Sequence, residues 1–295
     1  MAIGRLSTFS ICGLDPATGE IEVAVQSKYF AVGAVVSWAR AGVGAVATQA
    51  AGVAGYGPRL LDALAGGADP SEAIHLVLGS DEARETRQLG VVAADGRSAS
   101  WTGTECNVWA GHELGDCFAA QGNLLAREAV VAELARAFRE TDGVLAERLL
   151  AGLEAAQAAG GDLRGQQSAA LYVERPGAGI ETGELVDRVV DLRVDDHEEP
   201  IVELRRLLEI QLRWEYLKLA YGHRQAGRLL EGAEVLKVGL ERYPEDPTLL
   251  YESMSGRLAD ALAHARRSLE LDESLRPLAA GDPDLEPLRV RGDTF

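Results

Sequence analysis

Cysteine, methionine, histidine, aromatics and basic charge are all scarce in this chain. Its 295 residues include 3 Cys, 2 Met and 5 His, with 5% aromatics. The cysteines (Cys12, Cys106, Cys117) are odd in number and lack CxxC spacing, which excludes a disulfide framework and a zinc finger. They lie in or beside apolar segments, as inert buried thiols do. The histidines (His75, His112, His197, His223, His264) show neither HxxxH nor HExxH spacing, so no metal site is expected. Asp195-Asp196-His197 is the densest polar triplet, and a helix-capping aspartate accounts for it. There is no P-loop, no GxSxG elbow and no GxGxxG after a strand, so no cofactor is expected. No run approaches the roughly 20 apolar residues of a membrane span, and the N-terminus lacks the apolar core of a signal peptide. Lys and Arg number 29 against 46 Asp and Glu, a net charge of −17. That balance disfavours nucleic acid and anionic membrane surfaces as partners. The expectation is a cytoplasmic protein.

What is present is ordinary globular material: 47% hydrophobic and 25% charged residues. Thr8-Phe9-Ser10-Ile11-Cys12-Gly13 opens as a strand, turns through Asp15-Pro16-Ala17-Thr18-Gly19-Glu20, and returns as Ile21-Glu22-Val23-Ala24-Val25-Gln26-Ser27, followed by Lys28. Residues 31–38 and 43–50, rich in small and β-branched side chains, read as buried strands. The period then changes. Residues 57–66 read as a helix stopped by Gly66-Gly67, and Asp69-Pro70-Ser71-Glu72 is a helix start with cap, N1 proline and capping box. Strands return at 88–93 and 98–102 around an Asp95-Gly96 hairpin signal, and again at 116–121. Two amphipathic helices follow at 126–141 and 143–159, then strands at 168–173 and 185–194. Helix pairs inserted between strand groups suggest sheets covered by helical layers.

From Pro200 onward no strand pattern remains. Residues 201–221 form one long amphipathic helix. Two later stretches, Gly227-Arg228-Leu229 onward and Gly256-Arg257-Leu258 onward, are self-similar and resemble second helices of tetratricopeptide repeats, at an offset shorter than the usual ~34 residues. So short an array needs a partner surface, on the first domain or on another subunit, and self-association is expected. The division expected is 1–199 and 200–295.

Three segments could carry chemistry. Gly160-Gly161-Asp162-Leu163-Arg164-Gly165-Gln166-Gln167-Ser168 is a polar, Gly-rich loop feeding a buried strand. Asp162, Arg164, Gln166 and Ser168 could line a cleft there, with Arg164 gripping a carboxylate. The alternative is a helix stop braced by an internal Asp162–Arg164 pair. Gly122 and Asn123 could offer backbone donors to an oxyanion, or form an ordinary strand-to-helix turn. Residues 102–105 with Trp109 and His112 have the polar and aromatic character of a cleft rim.

As a set, 8–11, 23–28, 42–49, 121–123 and the 160–170 loop closely resemble domain of unknown function 1028, a bacterial family classed as N-terminal-nucleophile-hydrolase-like. The resemblance implies an α+β fold, a four-layer αββα sandwich, followed by a small all-α helical domain. It implies an amidohydrolase acting on a small amide or peptide-like substrate. Thr8 would be the nucleophile and its own α-amine the base; Lys28 would lower that amine's pKa, and Gly122 and Asn123 would serve the oxyanion. Family members often begin Met-Thr, whereas seven residues precede Thr8 in this sequence. The alternative is a non-catalytic module whose helical tail assembles homo-oligomers.

Overall fold

The computed structural model describes residues 8–182, 184–253 and 258–281. The prefix before Thr8 and the Gly256-Arg257 pair of the second self-similar stretch lie outside them. The chain divides into two compact units: residues up to Ala178 with Val186–Leu208, and Gly179–Leu185 with Glu209 onward.

The first unit opens with β1 (Thr8–Leu14) and β2 (Ile21–Ser27), buried at every position. Both faces of each strand are covered, so their polar side chains, Thr8, Ser10, Glu22 and Gln26 among them, are buried along with the apolar ones. Then come α1 (Gly33–Val36), β3 (Ser37–Arg40), β4 (Gly44–Ala50), α2 (Tyr56–Ala65) and α3 (Pro70–Leu78). The start signal at α3 is realised: Asp69 accepts from the Glu72 N–H at 2.9 Å, and Glu72 accepts from the Asp69 N–H at 3.1 Å. β5 (Arg87–Ala93), β6 (Ser98–Thr102), β7 (Gly111–Gly115), β8 (Phe118–Asn123), α4 (Ala129–Glu140), α5 (Leu145–Ala158) and β9 (Ser168–Glu174) follow; after the short α6 (Ala178–Thr182), which falls almost wholly in the second unit, β10 (Arg188–Val194) completes the strands.

The strands form two antiparallel sheets, ordered β10-β9-β2-β1-β8-β7 and β3-β4-β5-β6. Cys12, Leu14, Val23, Val25, Ala45, Ala47, Val92 and Ala119 fill the space between them. Helices α2 and α3 bury Leu60, Leu61, Leu64, Ile74 and Val77 on Val46, Leu89 and Val91 of the four-stranded sheet. Helices α4 and α5 pack on β1, β2 and β8 of the six-stranded sheet.

One expected strand is split. Residues 33–36 of the 31–38 run coil into α1, and only its end continues as β3. Ala31 takes a left-handed φ of 52°, Val32 and Val36 are fully buried, and the Val32 N–H is held by Ser168 Oγ at 3.1 Å. Tertiary packing overrides the β-branched preference here.

Helix α7 (Pro200–Gln225) begins in the first unit, where Ile201, Leu204 and Leu208 are buried and Arg205 pairs with Glu154. In the second unit the rest of α7 precedes α8 (Leu229–Arg242), α9 (Pro247–Glu252), α10 (Leu258–Leu271) and α11 (Arg276–Gly281). Leu236 and Leu249 form a small core with Ala220, and a Cβ at Gly239 would come within 2.9 Å of the Tyr216 ring, so α7 and α8 pack closely there. Among the described residues no helix is long and apolar enough to cross a membrane.

Candidate active site

The geometry starts from β1. Side chains alternate along a strand, so Thr8, Ser10 and Cys12 face the opposite sheet. Ser10 Oγ donates to Gln49 Oε1 on β4 at 2.6 Å, and Cys12 Sγ lies 3.5 Å from the Gly90 carbonyl on β5. Thr8 is the first residue of β1, opposite Ser27 on one side and Asn123 on the other. Its side chain is fully buried, and its hydroxyl lies 3.2 Å from Ser27 Oγ.

Around it runs a buried, uncharged polar seam that ties the two sheets together. Gln121 Nε2 donates to Ser10 Oγ at 2.6 Å. Gln49 Nε2 donates to Gln88 Oε1 at 2.8 Å and approaches the Thr8 carbonyl at 3.4 Å. Asn123 Nδ2 donates to the same Gln88 oxygen at 3.1 Å. Gln88 Nε2 faces the Gly122 carbonyl at 2.8 Å, the Thr102 hydroxyl at 3.0 Å and the Gly111 carbonyl at 3.1 Å. Thr102 Oγ1 lies 2.9 Å from His112 Nδ1, where the seam reaches the surface. Partial burial lowers the His112 pKa, which favours the neutral ring. Gly90 makes room for the seam: a Cβ there would lie 2.0 Å from Gln121 Oε1.

The 160–168 loop closes one end. The Asp162 carboxylate, buried, accepts from the Lys28 N–H at 2.8 Å, from the Arg164 N–H at 2.8 Å, and from Arg164 Nη2 at 3.1 Å. Lys28 Nζ donates to the Gln166 carbonyl at 3.1 Å. The Gln167 N–H donates to the Ser27 carbonyl at 3.1 Å, which extends the β2–β9 pairing beyond Ser168. Ser168 Oγ bridges the Tyr29 carbonyl and the Val32 N–H. Beside this edge is an open cleft of about 390 Å³, lined by Lys28, Gln166, Gln167, Asp196 and His197 with Glu198 and Glu199.

Against this geometry stand the comparisons. The model of a family of unknown function, DUF1028, matches residues 8–204. The chain belongs to the DUF1028 family. A crystal structure of a Silicibacter pomeroyi protein from the same family is similar, with a TM-score of 0.63 and 32% identity over 69% of this chain and 88% of that one. No curated protein matches.

The family segments do gather, but not in every expected contact. The register sets Thr8 against Ser27, so Lys28 falls one residue past it, and its ammonium rests on the Gln166 carbonyl instead of the Thr8 end. Gly122 and Asn123 lie inside β8, not in a turn after it, with Gly122 paired to both Phe9 and Gly111. The Arg164 guanidinium is turned onto Asp162, the internal pair that the sequence offered as the alternative to carboxylate binding. Sequence reasoning missed the seam itself. Its signal was present: Gln49, Gln88 and Gln121 each sit in an otherwise apolar strand, where an amide must find a partner. Among the described residues no group of three His, Cys, Asp or Glu side chains could hold a metal ion.

Proposed function

We propose that this chain is an N-terminal-nucleophile amidohydrolase whose two helix pairs and two sheets form the four-layer αββα sandwich of that class, and which acts once Thr8 carries a free α-amine. The observation that carries the reading is the setting of Thr8. It heads a central strand, and its hydroxyl faces the space between the sheets. Among the described residues, its hydrogen-bonding neighbour is another hydroxyl, with no carboxylate, imidazole or ammonium in contact. A threonine hydroxyl is a weak nucleophile without a base, and the base nearest to hand is its own amine.

In this reading a small amide or peptide-like substrate enters from the cleft lined by Lys28 and Gln166. Asn123, opposite Thr8, is the nearer oxyanion donor, and Gly122 supports it from within the ladder. Asp162, Arg164 and Ser168 hold the loop against β2. Full burial of Thr8 favours a second reading, a non-catalytic domain joined to a tetratricopeptide-like helical unit that forms homo-oligomers.

The two readings separate on one comparison. A chain beginning Met-Thr8, with the methionine removed, should hydrolyse amide substrates roughly 10²–10⁴-fold faster than the 295-residue chain with its prefix intact. Thr8→Ala in the short chain should abolish that rate and leave the melting temperature within a few degrees. Equal rates for the two chains would exclude catalysis through the Thr8 amine.

A further inference from the structure

At the β10 end, a second cleft of about 320 Å³ lies between α1 and β3 on one side and β9 and β10 on the other. Gly33, Ser37, Tyr172, Arg188, Asp191 and Arg193 line it. The proposed hydrolysis uses none of these residues.

A β-bulge builds the charge pattern. Asp191 and Arg193 are two apart on β10 and share a face. Arg188 is three before Asp191, so in a regular strand it would point to the other side. The β10–β9 register shifts between Arg188 and Val190. A bulge re-aims the side chain before it, and here it turns Arg188 back onto the Asp191 face, where its Nη1 reaches Asp191 Oδ2 at 2.9 Å. The Arg188 guanidinium stacks 5.0 Å above the Tyr172 ring. The Tyr172 hydroxyl donates to Glu174, and burial helps push its pKa up to about 12, so the phenol stays neutral. Arg193 Nε lies 3.7 Å from Asp191 Oδ1, too far for a hydrogen bond. Its stem lies across Gly33, where a Cβ would come within 3.2 Å of Arg193 Cγ and Cδ.

Two guanidiniums therefore share one carboxylate. Each carries five N–H donors, and both side chains are nearly half exposed, at 45% and 49%. Ser37 lines the same cleft, and its hydroxyl, buried, has no partner among the described residues. Within a chain of net charge −17, the cleft sets two guanidiniums against the single carboxylate in its lining, Asp191, with Glu174 held behind Tyr172, so most of the guanidinium N–H groups have no carboxylate partner among the described residues.

We propose that this cleft binds a compact oxyanion, a phosphate or carboxylate group, clamped between Arg188 and Arg193 with the Ser37 hydroxyl as a third donor. Paired guanidiniums match the geometry of such oxyanions. The site is independent of Thr8.

The test is an NMR titration of the full-length protein with inorganic phosphate and, separately, succinate, against sodium chloride at matched ionic strength. The amides of Ser37, Tyr172 and Arg193 should shift saturably with at least one oxyanion and not with chloride; which one does so distinguishes the phosphate from the carboxylate source. Arg188→Gln and Arg193→Gln should each weaken binding at least tenfold, and Arg136→Gln, on α4, should not change it. Should a glutamine variant melt well below the wild type, Arg193→Lys is read in its place; it keeps the charge, loses the planar fork and should bind severalfold more weakly. Absence of a saturable shift with both anions would overturn the proposal. So would unchanged binding in the arginine variants.

Discussion

Gln88 holds the seam together at the residue scale. Its oxygen accepts from Gln49 and Asn123, and its nitrogen faces Gly122, Thr102 and Gly111. Gln88→Leu fills the space but strands those buried groups, at about 1–3 kcal/mol for each group left unsatisfied. Urea denaturation should show a loss of several kcal/mol, larger than for Ser100→Ala, whose hydroxyl has no partner among the described residues. Glu22 is a different case. It is fully buried, both carboxylate oxygens lack hydrogen-bond partners among the described residues, and burial, reinforced by Glu20, holds its pKa well above the usual carboxylate range. In acid both folded and unfolded states carry the proton, so there is no penalty. As pH rises past the unfolded carboxylate range, the unfolded chain releases its proton and the folded chain does not, so stability falls until the folded group titrates. Glu22→Gln should remove this dependence. Its melting temperature should exceed that of the wild type at pH 8 and converge with it near pH 4, at roughly 2–4 °C per kcal/mol for a unit of this size. Parallel melting curves across that range would show that Glu22 is not the source.

At the scale of elements, spacing between the sheets is what permits a buried polar seam. Gly90 leaves the gap that Gln121 occupies. Gly90→Ala should destabilise by about 1–3 kcal/mol through overpacking, and should shift the Gln121 side-chain amide resonances more than those of Gln26, which faces the helices. The sequence made most elements legible, because their signals are local. The Asp69–Glu72 start, the Asp95-Gly96 hairpin and the amphipathic runs of α4 and α5 lie within a residue or three of their observed bounds. Residues 33–36 were not legible, since their turn depends on contacts from Ser168 and Ala170, distant in sequence. Neither was β7, whose Gly111-His112-Glu113-Leu114-Gly115 has little apolar character and pairs only through β8. The candidate site was legible as a list of segments. Its contacts were not, because a one-residue choice of register decides whether Ser27 or Lys28 stands against Thr8.

On the scale of the whole molecule, both compact units expose large apolar side chains, Phe30 and Leu76 among them in the first. In the second, Trp214 and Tyr221 are each about half exposed, at 53% and 52%. The two lie seven residues apart on α7 and so share a helix face, and the oligomer reading, which places an interface there, makes a direct prediction. Trp214→Ser with Tyr221→Ser in the full chain should lower the molar mass seen by light scattering at micromolar concentration; an unchanged mass would remove these residues from any interface. The central claim rests in the first unit, on a hydroxyl that becomes nucleophilic when its own amine is released. Covalent labelling tests it most directly, because it needs no knowledge of the substrate. A β-lactone, which acylates activated hydroxyls, should add once to the chain that starts at Thr8, with peptide mass mapping placing the adduct on Thr8. The 295-residue chain with its prefix intact should stay unlabelled over the same time. Equal labelling of both chains, an adduct on Ser10 or Ser27, or no adduct on the shortened chain would contradict the account.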